Sequence, residues 1–335
     1  MICFGFCYGI TILYGSKLVL NKEISIGDFV AFIGYIDLFL TPLFWLPGII
    51  SKFKRAQISF GRLDNVFKLE KENLMLEGIS STERISGNIK IEHLSFNYPG
   101  NIDQVLNDIN VEIKQGETLG IIGTIGSGKT TLMNLLLRLY PVQDNKIFIG
   151  GEDINHLDLA KLRSSISYIT QDNFLFSSTI KDNISLFRDD FKDDEIKEST
   201  EKSMISGEIE KMKNGIDTII GERGIDLSGG QKQRVVISRA FLNKSNIVIF
   251  DDTFSALDNK TEKLLLENIK DLVKDKTCII ISNRISDIKD ANHIIVLDNG
   301  NIIEEGTHNK LLKNKGLYHK FYIQQSSKTE DSILN

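Results

Sequence analysis

Two long apolar stretches open the chain. Residues 2–20 carry one charge, Lys17, close to their end, and residues 26–50 carry two, Asp28 and Asp37. Each is about the 20 residues that an α-helix needs to cross a bilayer at ~1.5 Å per residue. Residues 21–25 between them form a polar turn, and Ser51, Lys52, Phe53, Lys54 and Arg55 follow the second stretch directly. A basic cluster in that position belongs on the cytoplasmic side of a membrane. The pattern predicts a helical hairpin within residues 1–62, with both ends inside and a short outer loop. The first stretch lacks a basic leading region and a small-residue cleavage site, which argues against a secretory leader. Asp37 falls near mid-membrane, where a lipid-facing carboxylate costs about 2.5–3.5 kcal/mol, so it should face a cavity or another helix. Pro42 and Pro47 should kink the second span. Two spans cannot enclose a pathway, so further spans are expected, either in a missing part of the polypeptide or in other chains.

After a linker at 63–86 the period changes. Short apolar runs bounded by Gly and Asn turns predict strands at Ile89–Phe96, 111–113, 118–122 and 247–250. Helical runs lie at 131–139 and 232–242. A body over 87–325 thus reads as α/β, followed by a polar tail, 326–335, expected to be unstructured. Charge follows the same division. Residues 1–62 hold six Lys/Arg and three Asp/Glu, the rest of the chain 34 and 42. An acidic body argues against nucleic acid as a partner. Cys3, Cys7 and Cys278 cannot form a disulfide framework and read as reduced packing thiols.

Between a predicted strand and a predicted helix stands Gly123-Thr124-Ile125-Gly126-Ser127-Gly128-Lys129-Thr130, followed by Thr131. Glycines there let backbone N–H groups approach phosphates, and the helix start adds a positive dipole end. In this P-loop pattern Lys129 should reach the β/γ-phosphates and Thr130 should ligate Mg²⁺. Asp251 closes the apolar strand at 247–250, at the edge where open α/β sheets bind ligands, and could hold Mg²⁺. Leu227-Ser228-Gly229-Gly230-Gln231 opens the helix at 232–242. It offers a second phosphate-binding surface in a chain that already has one, so its natural use is the γ-phosphate of ATP on a facing subunit.

These motifs resemble those of ABC transporters, specifically exporters whose membrane spans are fused ahead of the ATPase. Residues 1–50 resemble the last two of that family's six spans, and 87–325 its nucleotide-binding domain. The resemblance implies an α/β P-loop NTPase with a helical subdomain, preceded by two transmembrane helices. It matches Tyr98 to an adenine-stacking aromatic and Gln171 to a residue that senses Mg²⁺ and contacts the membrane domain. It matches Gly221-Glu222-Arg223-Gly224 to a cross-talk loop, and Ser255-Ala256-Leu257-Asp258 to a loop across the dimer. The implied ligands are ATP and Mg²⁺. The implied partners are a second half-transporter subunit, membrane lipid and an exported small molecule, with the nucleotide domain on the cytoplasmic side of the cell membrane.

Two departures from the family pattern refine that expectation. The residue after Asp251 is usually Glu, the base for the attacking water, and here it is Asp252, one methylene shorter. The usual switch histidine is Asn283, which donates a hydrogen bond but cannot titrate. Loss of a well-placed base typically costs 10²–10⁴-fold. Both departures affect the chain's own site, whereas Ser228 to Gln231, which it would lend to a partner, are intact. The pattern resembles the degenerate subunit of bacterial heterodimeric multidrug exporters. Four further spans would precede residue 1 in a full-length member, so a truncated, non-transporting regulatory ATP-binding protein is the alternative. A soluble P-loop kinase is opposed by the Ser228 motif and the two spans.

Overall fold

The computed structural model describes residues 2–68, 85–221, 227–254 and 257–333, and the chain divides into two units, Met1–Glu72 and Asn73–Asn335. In the first unit, α1 (Ile2–Leu20) and α2 (Ile26–Phe67) pack against each other. The turn between them ends in a capping box at Ser25 and Asp28, each side chain bonding the other's backbone N–H. Helix α2 runs continuously past Pro42 and Pro47 and beyond residue 62, so the start of the expected linker is helical. Large apolar side chains point outward, among them Leu13, Leu38, Phe39 and Trp45. A water-exposed helix would carry polar residues there. Helix α2 is long and apolar enough to cross a membrane, and α1 contributes a shorter apolar stretch, Gly5–Leu20. Asp37 does face another helix, since the Tyr8 hydroxyl of α1 donates to its carboxylate.

The second unit contains two sheets. Strands β1 (Ile89–Phe96), β2 (Leu106–Ile113), β4 (Ile147–Ile149) and β5 (Glu152–Asp153) form an antiparallel sheet in the order β2-β1-β4-β5. Strands β3 (Thr118–Gly123), β6 (Ile166–Ile169), β7 (Ile247–Asp251), β8 (Thr277–Ile281), β9 (His293–Asp298) and β10 (Asn301–Gly306) form the other. Its order is β10-β9-β3-β8-β7-β6, parallel except for the edge strand β10. Strands β7 and β8 are buried at every position, as a parallel sheet covered on both faces requires. Helix α3 (Lys129–Leu136) lies between the two sheets and buries Leu132, Met133, Leu135 and Leu136. The opposite face of the parallel sheet packs against a helical layer.

Helix α4 (Leu159–Ser164) packs on the same side as α3, burying Leu159 and Leu162 there, and the opposite layer is built from α5 (Ile180–Ser185), α6 (Asp193–Lys202), α7 (Ser206–Ile209), α8 (Gly229–Leu242), α9 (Asn259–Leu272), α10 (Ile285–Ile288), α11 (His308–Asn314) and α12 (Leu317–Ile333). Helices α5 and α6 pack on α8 and form the helical subdomain beyond β6. The polar tail differs from expectation, because α12 continues through it to Ile333. A helix already started on packed residues such as Tyr318 extends at little cost, since nucleation is the expensive step. Cys7 is exposed and Cys278 buried, both as free thiols, and burial pushes the Cys278 thiol up to about 12.

Candidate nucleotide-binding site

Strand β3 ends at Gly123 and α3 begins at Lys129, so residues 124–128 form a loop at the C-terminal edge of the parallel sheet. The loop closes through Ser127 N, which donates to Thr124 O at 3.2 Å. Gly128 caps α3 with φ 99°, and no side chain bonds the helix start. A Cβ at Gly128 would lie 2.6 Å from Leu106 Cδ2, and one at Gly123 would lie 2.0 Å from Leu297 O. The backbone has no room for another residue type, and the first-turn N–H groups of α3 stay open to an anion. Lys129 Nζ donates to Gly123 O at 3.0 Å and Thr124 O at 2.9 Å. Burial holds its ammonium below the ordinary lysine value, with Asp251 and Asp252 pulling it back up. Ser127 and Thr131 are buried, whereas Ile125 stands 99% exposed at the loop tip. Thr124 Oγ1 donates to Asp298 Oδ1 at 2.7 Å, which fastens the loop to the end of β9.

Neighbouring strands bring the acidic residues to the same edge. Asp251 closes β7, where Tyr168 OH donates to its carboxylate at 2.8 Å and the Thr130 hydroxyl lies close by. Burial raises the Asp251 carboxyl, opposed by the Tyr168 bond, and the nearby Asp252 charge raises it further. Asp252 has a left-handed backbone, φ 47°, and its N–H donates to Ile281 O at 2.8 Å. Its carboxylate accepts from Gln171 Nε2 at 3.2 Å. Asn283 follows Ser282, whose N–H donates to Ile121 O at 3.1 Å across to β3. Tyr98 OH and Thr131 Oγ1 share a bond of 2.9 Å, so the ring sits beside α3, edge-on to Tyr140 and Phe96. Hydroxyl, carboxylate and amide oxygens from Thr130, Asp251 and Gln171 suit a hard cation that also binds phosphate. Tyr168 is a part of this site that the sequence pattern missed. It reaches Asp251 only because β6 pairs in parallel with β7, with Tyr168 against Ile249, two residues before Asp251.

The second surface is separate. Ser228 and Gln231 cap α8 reciprocally: Ser228 N donates to Gln231 Oε1 at 2.9 Å, and Gln231 N donates to Ser228 Oγ at 3.3 Å. Ser228 and Gly229 are exposed, Gly230 and Gln231 half-buried. Among the described residues no hydrogen bond joins this surface to the P-loop cluster. Asp258 caps α9 through Thr261 N at 3.0 Å. Glu222, Arg223 and Gly224 of the expected cross-talk loop, and Ser255 and Ala256 of the loop preceding Asp258, lie outside the described residues, as do linker residues 69–84.

Comparison with known proteins places this geometry. Residues 106–255 match the family model for ABC transporters. Over these residues the chain belongs to the ABC transporter family. Among its relatives is YheI of Bacillus subtilis (strain 168), whose name includes the words multidrug resistance ABC transporter ATP-binding/permease protein. It is 36% identical over 321 residues, which is 96% of this chain and 55% of the relative. A relative in Staphylococcus aureus (strain NCTC 8325 / PS 47), whose name includes multidrug export ATP-binding/permease protein, is 39% identical over 320 residues, or 95% of this chain and 55% of the relative. The chain thus spans about half the length of these curated relatives. A solved structure of a bacterial Atm1-family ABC exporter with ATP bound aligns with a TM-score of 0.75 at 30% identity, covering 91% of this chain and 53% of that one. The body of this chain is therefore an ABC ATPase domain, and ATP binding follows from the family.

Proposed function

We infer that the chain is the ATP-binding part of an ABC exporter subunit whose own catalytic site is degenerate. The observation that carries the nucleotide site is Lys129, a half-buried cation folded onto loop carbonyls at an uncapped helix start. A phosphate would offer it a better partner. On this reading Tyr98 gives a ring face to adenine, and the N–H groups across 123–131 with Lys129 hold the phosphates. Thr130, Asp251 and Gln171 hold Mg²⁺, which supplies charge neutralisation at the terminal phosphates. Asp252 would be the base for the attacking water. It is short for that task, and it already accepts from Gln171. Asn283 donates to the γ-phosphate without carrying charge.

The surface at Ser228, Gly229, Gly230 and Gln231 would complete the site of a second subunit that supplies Glu and His where this chain has Asp252 and Asn283, which makes a heterodimer the favoured assembly. Residues 1–62 would form a membrane hairpin with residues 21–25 outside the cell, and 87–325 would lie in the cytoplasm. Closing and reopening of the nucleotide-domain dimer would drive export of a drug- or lipid-like molecule, and the multidrug wording in the relatives' names supports the drug-like case. The test is calorimetry of MgATP binding to the full chain. Lys129→Ala should weaken it by about 100-fold, the loss of charge-assisted bonds to phosphate. Unchanged affinity would remove the P-loop assignment.

A further inference from the structure

The backbone around Asn283 is held from both sides. On the inner side Ser282 Oγ accepts from Arg284 N at 2.9 Å and donates to Asp287 Oδ2 at 2.6 Å, with both side chains buried. Arg284 Nη1 pairs with Glu262 at 2.6 Å. On the outer side stands Gln325, forty-two residues further along the chain on α12. Its Nε2 donates to Asn283 O at 2.8 Å, and its Oε1 accepts from Ile285 N at 2.9 Å. One side-chain amide thus imitates a peptide group and bridges the two ends of the three-residue segment 283–285. The Asn283 side chain itself is exposed, facing away from the core, so its direction depends on that backbone.

We propose that Gln325 is a positioning residue: its amide clamp on Asn283 O and Ile285 N fixes the Asn283 side chain for the γ-phosphate of bound ATP, and ties the state of α12 to that site. The proposal rests on the nucleotide-site reading above. Asn283 meets only the terminal phosphate on that reading, so the clamp discriminates ATP from ADP. A role confined to holding α12 in place would affect both nucleotides alike.

The test measures MgATP and MgADP affinities of the full chain in lipid nanodiscs. Gln325→Ala should lower the preference for ATP over ADP by about three- to tenfold, the worth of an ordinary hydrogen bond, and leave ADP affinity unchanged. In an Asn283→Ala background the same substitution should add nothing, because the two residues act as one unit. Gln325→Glu keeps side-chain length and an acceptor for Ile285 but loses the donor to Asn283, so it should lower the preference without unfolding the chain. Hydrogen exchange at the Ile285 amide, with no nucleotide present, should speed up about three- to tenfold in Gln325→Ala. Equal losses for ATP and ADP, a full Gln325→Ala effect in the Asn283→Ala background, or an unchanged preference would each overturn the clamp. Failure of the underlying site is distinguished by Lys129→Ala, which would then leave both affinities intact.

Discussion

The chain starts two helices with glycine and serine, and the two starts are built in opposite ways. At α3 the cap is Gly128 in a left-handed backbone, no side chain satisfies the first turn, and Lys129 folds back onto loop carbonyls. At α8 the cap is Ser228, and Gln231 completes a reciprocal box. An uncapped start leaves several N–H groups without partners, a cost that persists only where something else binds them. A boxed start stands as a helix without a ligand. The first is shaped for an anion in this chain's own site. The second presents an exposed hydroxyl whose donor is not used by the box, ready to meet a group from outside. On the proposed reading, similar residues serve two ends of the same chemistry, one requiring a ligand and the other merely accepting one.

The comparison breaks most readily at Gly128. Gly128→Ala forces a Cβ into a left-handed residue, at about 1–2 kcal/mol. It also presses on Leu106, which adds about 1–3 kcal/mol of overpacking. Chemical denaturation should show that loss, with MgATP affinity falling by at least about tenfold. A variant that binds and unfolds like the parent would mean that the loop does not need its shape. The smaller effect is at Ser228. Ser228→Ala should cost about 1 kcal/mol of stability through the lost cap, and leave the chain's own MgATP affinity unchanged. A matching fall in affinity would place Ser228 in the chain's own site and erase the distinction between the two helix starts.

What the sequence made legible follows from how local each signal is. The P-loop shows in eight consecutive residues because its chemistry is all backbone, one lysine and one hydroxyl, and β3 and α3 flank it as the pattern predicts. Asp251 was legible for the same reason, as a carboxylate ending an apolar strand, and Asp252 only through the family resemblance. Tyr168 and Gln325 were not. Tyr168 meets Asp251 through strand pairing 83 residues apart, and Gln325 meets Asn283 across 42. Neither sits in a motif, and only tertiary packing brings them in. The tail misled for a related reason: its composition is that of a loop, but α12 was already established on packed residues upstream. Asp37 shows the reverse case, where an energetic argument alone called for a partner and α1 supplies Tyr8.

On the proposed reading this chain lends an intact surface at Ser228 while keeping a weak site around Asp252 and Asn283. ATPase turnover of a mixed dimer tests it most directly, using a partner subunit that carries Glu and His at the equivalent positions. Alone, the chain should turn over slowly, by the 10²–10⁴-fold that a misplaced base costs. In the mixed dimer Ser228→Arg here should stop turnover, because it blocks the surface that faces the partner's γ-phosphate, while Asp252→Asn should change it little. Turnover abolished by Asp252→Asn and untouched by Ser228→Arg would contradict the account.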